Sequence, residues 1–352
     1  MSSSQRWRVV RADKGAVLVV PDVGVPAAAL AEHEHEPEHE HEHVEPLRAV
    51  LARDGLAESD EGRVVPAVGD YVLLDDEGGV ARVLPRSSAL VRDTANRTSL
   101  TQVLAANVDV VLVVEHLDPD PDLGRVERLL TLAWRSGATP VVVLTKADLV
   151  PDPRGMGHDV ERVAIGVDVH VVSVPADEGL GPVRALLAPG TTVVVVGPSG
   201  AGKSTLVNAL AGREAMATGE RRADGRGRHT TTHRELVPLA GGAVLIDTPG
   251  LRAVGLVADA EALEHTFADV AELAARCRFA DCAHRTEPGC AVRAALDAGE
   301  LDERRFDSWR RLEREAAYQE RRADARLAAA ERARWKKITA EHRRGHRPVP
   351  RG

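Results

Sequence analysis

A glycine-rich run near the middle of the chain has the residue types and spacing of a phosphate-binding loop. It matches the pattern G-x-x-x-x-G-K-[ST] in full and consists of Gly197, Pro198, Ser199, Gly200, Ala201, Gly202, Lys203 and Ser204, followed by Thr205. In such a loop the backbone N–H groups and the lysine bind phosphate oxygens, and the serine hydroxyl binds Mg2+. The run therefore predicts a nucleotide site in which Lys203 neutralises charge during phosphoryl transfer. The alternative is a glycine-rich turn without a ligand.

The segments on either side of this phosphate loop (residues 197–204) favour the nucleotide site. Residues 191–196 are an apolar run that predicts a buried parallel strand, and residues 203–210 predict the start of a helix. A helix that begins behind the loop places the positive end of its dipole on the phosphates. Strand, loop and helix together predict an α/β domain.

A second motif, upstream, predicts which base is bound. Thr145, Lys146, Ala147 and Asp148 follow the apolar run 141–144. The Asp148 carboxylate could accept hydrogen bonds from the ring N–H and the exocyclic amine of guanine, which adenine does not offer in that arrangement. The Lys146 stem would lie along the base, while Thr145 stands where Asn is more usual. By itself, this guanine loop (residues 145–148) is weak evidence for a ligand, because a lysine and an aspartate are common in loops. In a chain that also has a phosphate loop, it indicates guanine binding.

Two further segments are candidates for the same site. Ser173 and Val174 follow the strand-like residues 167–172 and resemble a short loop whose backbone N–H meets the guanine carbonyl; an ordinary strand end is the alternative. Asp247 follows the apolar run 243–246, so its carboxylate is expected to hold Mg2+ through water. Gly250 would offer its N–H to the γ-phosphate.

The run 227–232, Gly-Arg-His-Thr-Thr-Thr, lies where a switch segment must supply a threonine for Mg2+. We favour Thr231 as that ligand, although any of the three threonines could serve. Leu251 follows Gly250, where many GTPases have the glutamine that orients water. His229 is therefore our candidate for orienting the attacking water, and the alternative is a surface histidine that contacts RNA or nothing.

The order of these motifs is unusual. The guanine loop precedes the phosphate loop, whereas ordinary GTPases have the phosphate loop first, so the chain is predicted to be a circularly permuted GTPase. This order, the run 227–232 and the triplet 107–109 (Asn-Val-Asp) before an apolar strand resemble the RsgA/YjeQ family of GTPases that depend on the small ribosomal subunit. The resemblance covers roughly residues 63–309.

The resemblance implies a multidomain fold and a function. We expect an N-terminal OB-like β-barrel at residues 1–98, a circularly permuted α/β P-loop GTPase domain at 99–258, and a mainly α zinc-binding domain with a basic helical tail at 259–352. The resemblance also implies a monomer that binds the small ribosomal subunit and its rRNA. It would hydrolyse GTP during late maturation of that subunit, and the subunit would stimulate GTP turnover. The alternatives are a GTP-gated module that binds a non-ribosomal RNA, and a P-loop ATPase or kinase, which Asp148 and the permuted order disfavour.

All three cysteines of the chain lie in one short window. Cys277, Cys282, His284 and Cys290 supply three thiolates and one imidazole, which suit a tetrahedral Zn2+. Four protein ligands leave no open position for catalysis, so we predict one structural zinc. The alternative is a set of redox-active or merely buried cysteines. This spacing also matches the zinc motif of the family.

The N-terminal region is less clear. Apolar alternation near residues 8–10, 16–20, 64–74 and 80–84 predicts short strands of a small barrel, and composition fits an SH3-like barrel as well as an OB barrel. The OB fold and rRNA binding therefore depend on the resemblance. Residues 32–43, within an insertion near 30–60, alternate Glu and His around one proline. Such a run predicts a disordered loop, with weak metal capture as the alternative.

Composition limits the other possibilities. The 352 residues, 43% hydrophobic and 28% charged, suit two or three soluble domains. Residues 1–6 do not open a signal peptide and no apolar run reaches membrane-spanning length, so we expect a cytoplasmic protein without membrane contact. The net charge is −8, yet residues 301–352 carry 16 Lys and Arg against 9 Asp and Glu. This tail is predicted to be either an exposed helix or an arm that contacts phosphates.

Overall fold

The computed structural model describes residues 5–13, 15–22, 46–92, 102–213, 216, 235–239, 241–247 and 259–321. Within them the chain forms a strand-rich N-terminal region, a central sheet with helices on its faces, and a group of C-terminal helices that carries the Cys/His cluster. The predicted multidomain fold class is confirmed. None of the helices in the described part of the chain has the length and apolar character needed to cross a lipid bilayer.

Seven short strands build the N-terminal region. They are β1 (Trp7–Asp13), β2 (Ala16–Pro21), β3 (Leu47–Val50), β4 (Ala57–Ser59), β5 (Gly62–Val64), β6 (Tyr71–Leu74) and β7 (Val80–Val83). Neighbours pair in the order β3-β2-β1-β6-β7, and a parallel bridge from Val50 to Gly79 returns β3 to the start of β7. This closed circuit of five strands is the connectivity of an OB barrel.

The segment 64–74, expected among the barrel strands, is interrupted between β5 and β6. The Asp70 carboxylate accepts a hydrogen bond from the Ala67 N–H at 2.7 Å and closes a turn there. Gly69 in this turn has φ +92°, and a Cβ on it would lie 2.1 Å from the Ala106 carbonyl oxygen. Only glycine can therefore bring the barrel this close to the next part of the chain.

A parallel sheet forms the centre of the molecule. After the hairpin β8 (Ala89–Arg92) and β9 (Gln102–Ala106) come β10 (Val110–His116), α1 (Leu123–Arg135), β11 (Thr139–Thr145), α2 (Pro153–Glu161), β12 (Asp168–Val171), α3 (Leu180–Ala185), β13 (Thr192–Val196), α4 (Lys203–Ala211), β14 (Glu235–Pro238) and β15 (Val244–Asp247). The strand order is β12-β11-β10-β13-β15-β14, with only β14 antiparallel. Helices cover both faces, which is why β10, β11 and β13 are nearly continuous runs of valine and leucine.

After the sheet, the described residues 259–321 form four helices: α5 (Ala260–Thr266), α6 (Ala268–Ala275), α7 (Ala291–Asp297) and α8, which spans residues 303–321. Phe267 and Leu312 are fully buried between them, and Leu132 of α1 belongs to the same apolar cluster. The C-terminal helices therefore pack directly against the helix that follows β10.

The triplet 107–109 explains how the barrel meets the sheet. Asn107, at φ +52°, donates from Nδ2 to the Gly69 carbonyl at 3.0 Å, and its Oδ1 accepts from the Ser87 N–H at 3.0 Å. Asp109 accepts at Oδ2 from the N–H of Thr192, the first residue of β13. One short segment thus fixes the barrel turn and the start of the phosphate-loop strand. The expected boundary at 98/99 lies outside the described residues, between strands β8 and β9, which pair with each other.

Candidate nucleotide and metal sites

The phosphate loop connects β13 to α4 as the sequence predicts. Gly197 has φ +150°, and a Cβ there would lie 2.1 Å from the Val114 carbonyl oxygen of β10. Gly202, at φ +78°, precedes the first residue of α4. The Lys203 ammonium donates to the carbonyls of Gly197 (2.9 Å) and Pro198, so the loop folds around its own lysine. Ser204 and Thr205 lie in the first turn of α4, next to that lysine.

The guanine loop and the phosphate loop are in contact. Thr145 is the last residue of β11, its side chain is buried, and its hydroxyl donates to the Ala201 carbonyl of the phosphate loop at 2.8 Å. Fifty-six residues separate the two partners along the chain. The threonine that replaces the more usual asparagine therefore still joins the two loops, which lie side by side in the fold.

The remaining members of the guanine loop lie at the same edge of the sheet. Lys146 adopts the left-handed region, at φ +62°, and its ammonium donates to the Asp118 carbonyl at 3.0 Å. The Ala147 N–H donates to the Val172 carbonyl at 3.2 Å. Asp148 follows in a short 3-10 turn (Ala147–Leu149) and accepts at Oδ1 from the Ser173 hydroxyl at 2.7 Å.

Ser173 makes hydrogen bonds through both its backbone and its hydroxyl. Its backbone N–H donates to the Glu178 carbonyl at 3.0 Å, so this hydrogen bond lies within its own loop. Its hydroxyl instead holds the Asp148 carboxylate. The role of residues 173–174 in binding the guanine carbonyl stays a prediction.

Asp247 is the last residue of β15, which pairs with β13, so it lies beside the phosphate-loop strand at the carboxyl edge of the sheet. This is the edge at which open α/β sheets bind ligands. Gly250, His229 and Thr231 lie outside the described residues, as does the Glu/His run 32–43.

Sequence reasoning missed a charged group beneath the guanine loop. Glu115, next to last in β10, is fully buried and binds Arg125 of α1 through both carboxylate oxygens, at 2.7 and 2.9 Å. The sequence did indicate such a group, because the carboxylate of a glutamate at the end of an otherwise apolar central strand is expected to be buried and must then have a hydrogen-bonded or charged partner. Which arginine it would meet depends on the turn into α1.

The predicted metal ligands converge. The side-chain ligand atoms of Cys277, Cys282, His284 and Cys290 all lie within 4.8 Å of one another. The Sγ atoms of Cys277 and Cys290 are 3.8 Å apart, and they lie 3.6 and 3.5 Å from Nδ1 of His284. Zinc bonds of about 2.3 Å to sulfur and about 2.0 Å to nitrogen in a tetrahedron give edges of about 3.8 and about 3.5 Å, so the cluster fits this ion.

The surroundings of the cluster prepare it to bind a cation. Burial lowers the pKa of His284 and so favours the neutral imidazole that binds metal. Desolvation works against ionisation of Cys277, but the N–H groups of Val292 and Ala291 and the neighbouring thiols leave its pKa lowered. Desolvation and the neighbouring thiols raise the pKa of Cys282 to about 11. The Cys277 thiolate is therefore favoured, whereas a bound metal would help the Cys282 thiol to lose its proton.

Comparison with known proteins agrees with this architecture. A sequence model of the family described as RsgA GTPase matches residues 83–257. Two curated relatives called small ribosomal subunit biogenesis GTPase RsgA are similar to the chain. The one from Streptomyces avermitilis is 51% identical over 306 residues, covering 83% of this chain and 82% of the relative. The one from Opitutus terrae is 49% identical over 298 residues, covering 80% and 81%.

Two solved structures share the fold. YjeQ from Thermotoga maritima superposes with a TM-score of 0.60 at 24% identity, covering 89% of this chain and 98% of that one. YloQ, described as a circularly permuted GTPase, gives 0.59 at 23% identity, covering 89% and 95%. With the identity and coverage of the curated relatives, these likenesses establish that the chain belongs to the RsgA family of circularly permuted GTPases.

Proposed function

We propose that this protein binds GTP between its guanine and phosphate loops and hydrolyses it on the small ribosomal subunit during late maturation of that subunit. The observation that carries the proposal is the hydrogen bond from Thr145 to the Ala201 carbonyl, because it unites a base-binding and a phosphate-binding motif in one site. The curated relatives are named for biogenesis of the small subunit, which supports that subunit and its rRNA as the partner.

Different residues of the proposed site bind different parts of the nucleotide. Asp148, held by the Ser173 hydroxyl, accepts from the guanine N–H groups, while the Val174 N–H donates to the guanine carbonyl. The loop 197–202 and the start of α4 surround the phosphates, with Lys203 placed to neutralise their charge. Ser204, Asp247 and Thr231 would hold Mg2+, which neutralises charge on the β- and γ-phosphates when bound. Gly250 would donate its N–H to the γ-phosphate.

Water must be oriented by a group other than the usual glutamine, because Leu251 stands at that position. We assign this role to His229. Turnover stimulated by small subunits should therefore fall by about a hundredfold or more in His229→Ala, the scale of one general-base contribution. A rate within a few-fold of the wild-type rate would remove His229 from the chemistry.

The Cys/His cluster is assigned one structural Zn2+, with Cys277, Cys282, His284 and Cys290 as ligands. Its four ligands leave no position for a substrate, so it stabilises the segment between α6 and α7, which contains few buried apolar residues. We further propose a cytoplasmic monomer in which the barrel (1–98) and the C-terminal domain (259–352) flank the GTPase domain (99–258).

Base recognition is tested with Asp148→Asn. Asn offers one acceptor and one amide donor where guanine needs two acceptors, so GTP affinity should fall at least about a hundredfold and xanthosine triphosphate should compete better than GTP. Asp152→Asn is the matched control, because the Asp152 carboxylate caps α2 by accepting from the Gly155 N–H and, among the described residues, contacts neither the guanine loop nor the phosphate loop. Unchanged GTP preference in Asp148→Asn would refute the site.

The partner is tested by measuring GTP turnover with and without purified small subunits. We expect mature or nearly mature small subunits to stimulate turnover and large subunits at equal concentration to leave it unchanged. Turnover that ignores small subunits but responds to another RNA would favour a GTP-gated RNA-binding module instead.

A further inference from the structure

The Glu115–Arg125 pair beneath the guanine loop has no part in the nucleotide contacts proposed above. The Glu115 side chain is fully buried, whereas that of Arg125 is one-third exposed. Its hydrogen bond to Glu115 raises the pKa of Arg125, so the guanidinium stays charged. The backbone N–H of His116 also donates to the Glu115 carboxylate, at 3.3 Å. One buried carboxylate thus binds both the end of β10 and the first turn of α1.

Between these two elements lies the loop 117–122, which touches the guanine loop twice. The Leu117 N–H donates to the Thr145 carbonyl at 3.0 Å, and the Asp118 carbonyl accepts from the Lys146 ammonium at 3.0 Å. The His116 ring closes the loop from within, because its Nδ1 lies 2.9 Å from the Pro119 carbonyl. A carbonyl only accepts, so this nitrogen must be the donor. The position of the Lys146 ammonium therefore depends on where this loop is held.

Stability alone gives little reason for a charged pair at this place. Replacing a buried ion pair by apolar side chains of similar volume is often neutral or stabilising, because desolvation offsets the Coulomb attraction. A pair with fixed bidentate geometry, however, sets the direction in which α1 leaves β10. We infer that Glu115, with Arg125, is a positioning residue for guanine-nucleotide binding, an inference that rests on the proposed GTP site. Glu115 fixes the loop 117–122 so that the Asp118 carbonyl holds the Lys146 ammonium beside the base.

Glu115→Gln tests the inference, because glutamine keeps the shape and removes the charge. Binding of fluorescent GDP to the full-length, zinc-loaded protein should weaken by about fivefold or more, the scale of one charge-assisted hydrogen bond. Glu127→Gln is the matched control. Glu127 is equally buried and bonded to arginine, but it faces the C-terminal helices, so its loss should destabilise the fold and change GDP affinity much less than Glu115→Gln does.

A double-mutant cycle with Lys146→Ala separates positioning from general damage. If Glu115 acts through Lys146, Glu115→Gln should add less than about twofold in the Lys146→Ala background, whereas independent effects would multiply. Multiplying effects, or wild-type-like GDP binding by Glu115→Gln, would overturn the inference. Should Glu115→Gln fail to fold, Arg125→Gln applies the same test from the partly exposed side of the pair. A wild-type protein without preference for GDP over ADP would refute the proposed GTP site itself, which distinguishes the two failures.

Discussion

Replacing Arg305 with methionine should detach the C-terminal helices from the GTPase domain. Arg305 in α8 is 3% exposed and uses all of its donor nitrogens. It bonds Glu127 of α1 at 3.0 Å, Asp269 of α6 at 2.9 and 3.1 Å, and the carbonyls of Val163 (3.0 Å) and Thr266 (2.8 Å). Its guanidinium also lies 4.5 Å from the centre of the Phe267 ring. No side chain of similar size could replace these contacts.

The expected cost follows from what remains unpaired. Breaking a buried ion pair by removing one partner costs about 3 to 5 kcal/mol. Glu127 would keep Arg304, which bonds both of its carboxylate oxygens at 2.9 and 3.1 Å, so we expect the lower end, about 3 kcal/mol. Arg304→Met is the control. Its side chain is 41% exposed and Arg305 would still neutralise Glu127, so solvent screening should limit its cost to about 1 kcal/mol.

Hydrogen exchange on the full-length, zinc-loaded protein measures this difference locally. In Arg305→Met, the protection factors of amides in α8 and in the facing turns of α1 should fall roughly a hundredfold, which is the ratio that corresponds to about 3 kcal/mol. Protection in β10 and β11 should change little, and zinc content should stay at one per chain. Equal and small losses in the Arg305 and Arg304 variants would refute the view that a buried charge network, and not apolar packing alone, docks these helices.

Three further outcomes follow from the geometry. Gly197→Ala should abolish nucleotide binding or folding, because its Cβ would meet the Val114 carbonyl at 2.1 Å, whereas Gly200→Ala has nothing within 4 Å and should cost only about 1 kcal/mol of backbone strain in a melting experiment. Cys290→Ser should lose zinc, measured by metal analysis, and melt the C-terminal helices first. Asn107→Ala should cost about 2 kcal/mol and increase proteolysis of the barrel, while GDP affinity stays within a few-fold of wild type.

Much of the nucleotide site could be predicted because its chemistry is local in sequence. A phosphate loop needs glycines, a lysine and a hydroxyl in adjacent positions, and in the structure this run connects β13 to α4 with Gly197 and Gly202 at positive φ. The convergence of the Cys/His cluster could be predicted equally well, since the chain has no cysteines outside the short window that also holds His284. The roles expected for His229 and Thr231 stay predictions, because these residues lie outside the described part of the chain.

Contacts between distant segments could not be predicted in this way. Nothing near Glu127 indicates that its partners come from positions 304 and 305, because that pairing depends on how α8 crosses α1. The hydroxyl of Ser173 holds Asp148 only because β11 and β12 are neighbours in the sheet. Among the described residues, the bridge from Val50 to Gly79 closes the barrel, and alternation of apolar residues cannot specify it. Periodicity predicts elements, whereas these contacts depend on the tertiary arrangement.

Helix α1 contacts both the strand end beside the guanine loop and the C-terminal helices. Its first turn, through Arg125, bonds the strand end beside the guanine loop, and its next turn, through Glu127, bonds the C-terminal helices. Because both residues lie on one continuous helix of 13 residues, we expect a displacement of one turn to move the other. The C-terminal domain is therefore connected to the nucleotide site by this helix as well as by the chain that follows Asp247. The test is whether GDP binding changes the hydrogen-exchange protection of α8 amides. A change that disappears in Arg305→Met but persists in Arg304→Met would show that α1 transmits the effect of GDP to α8.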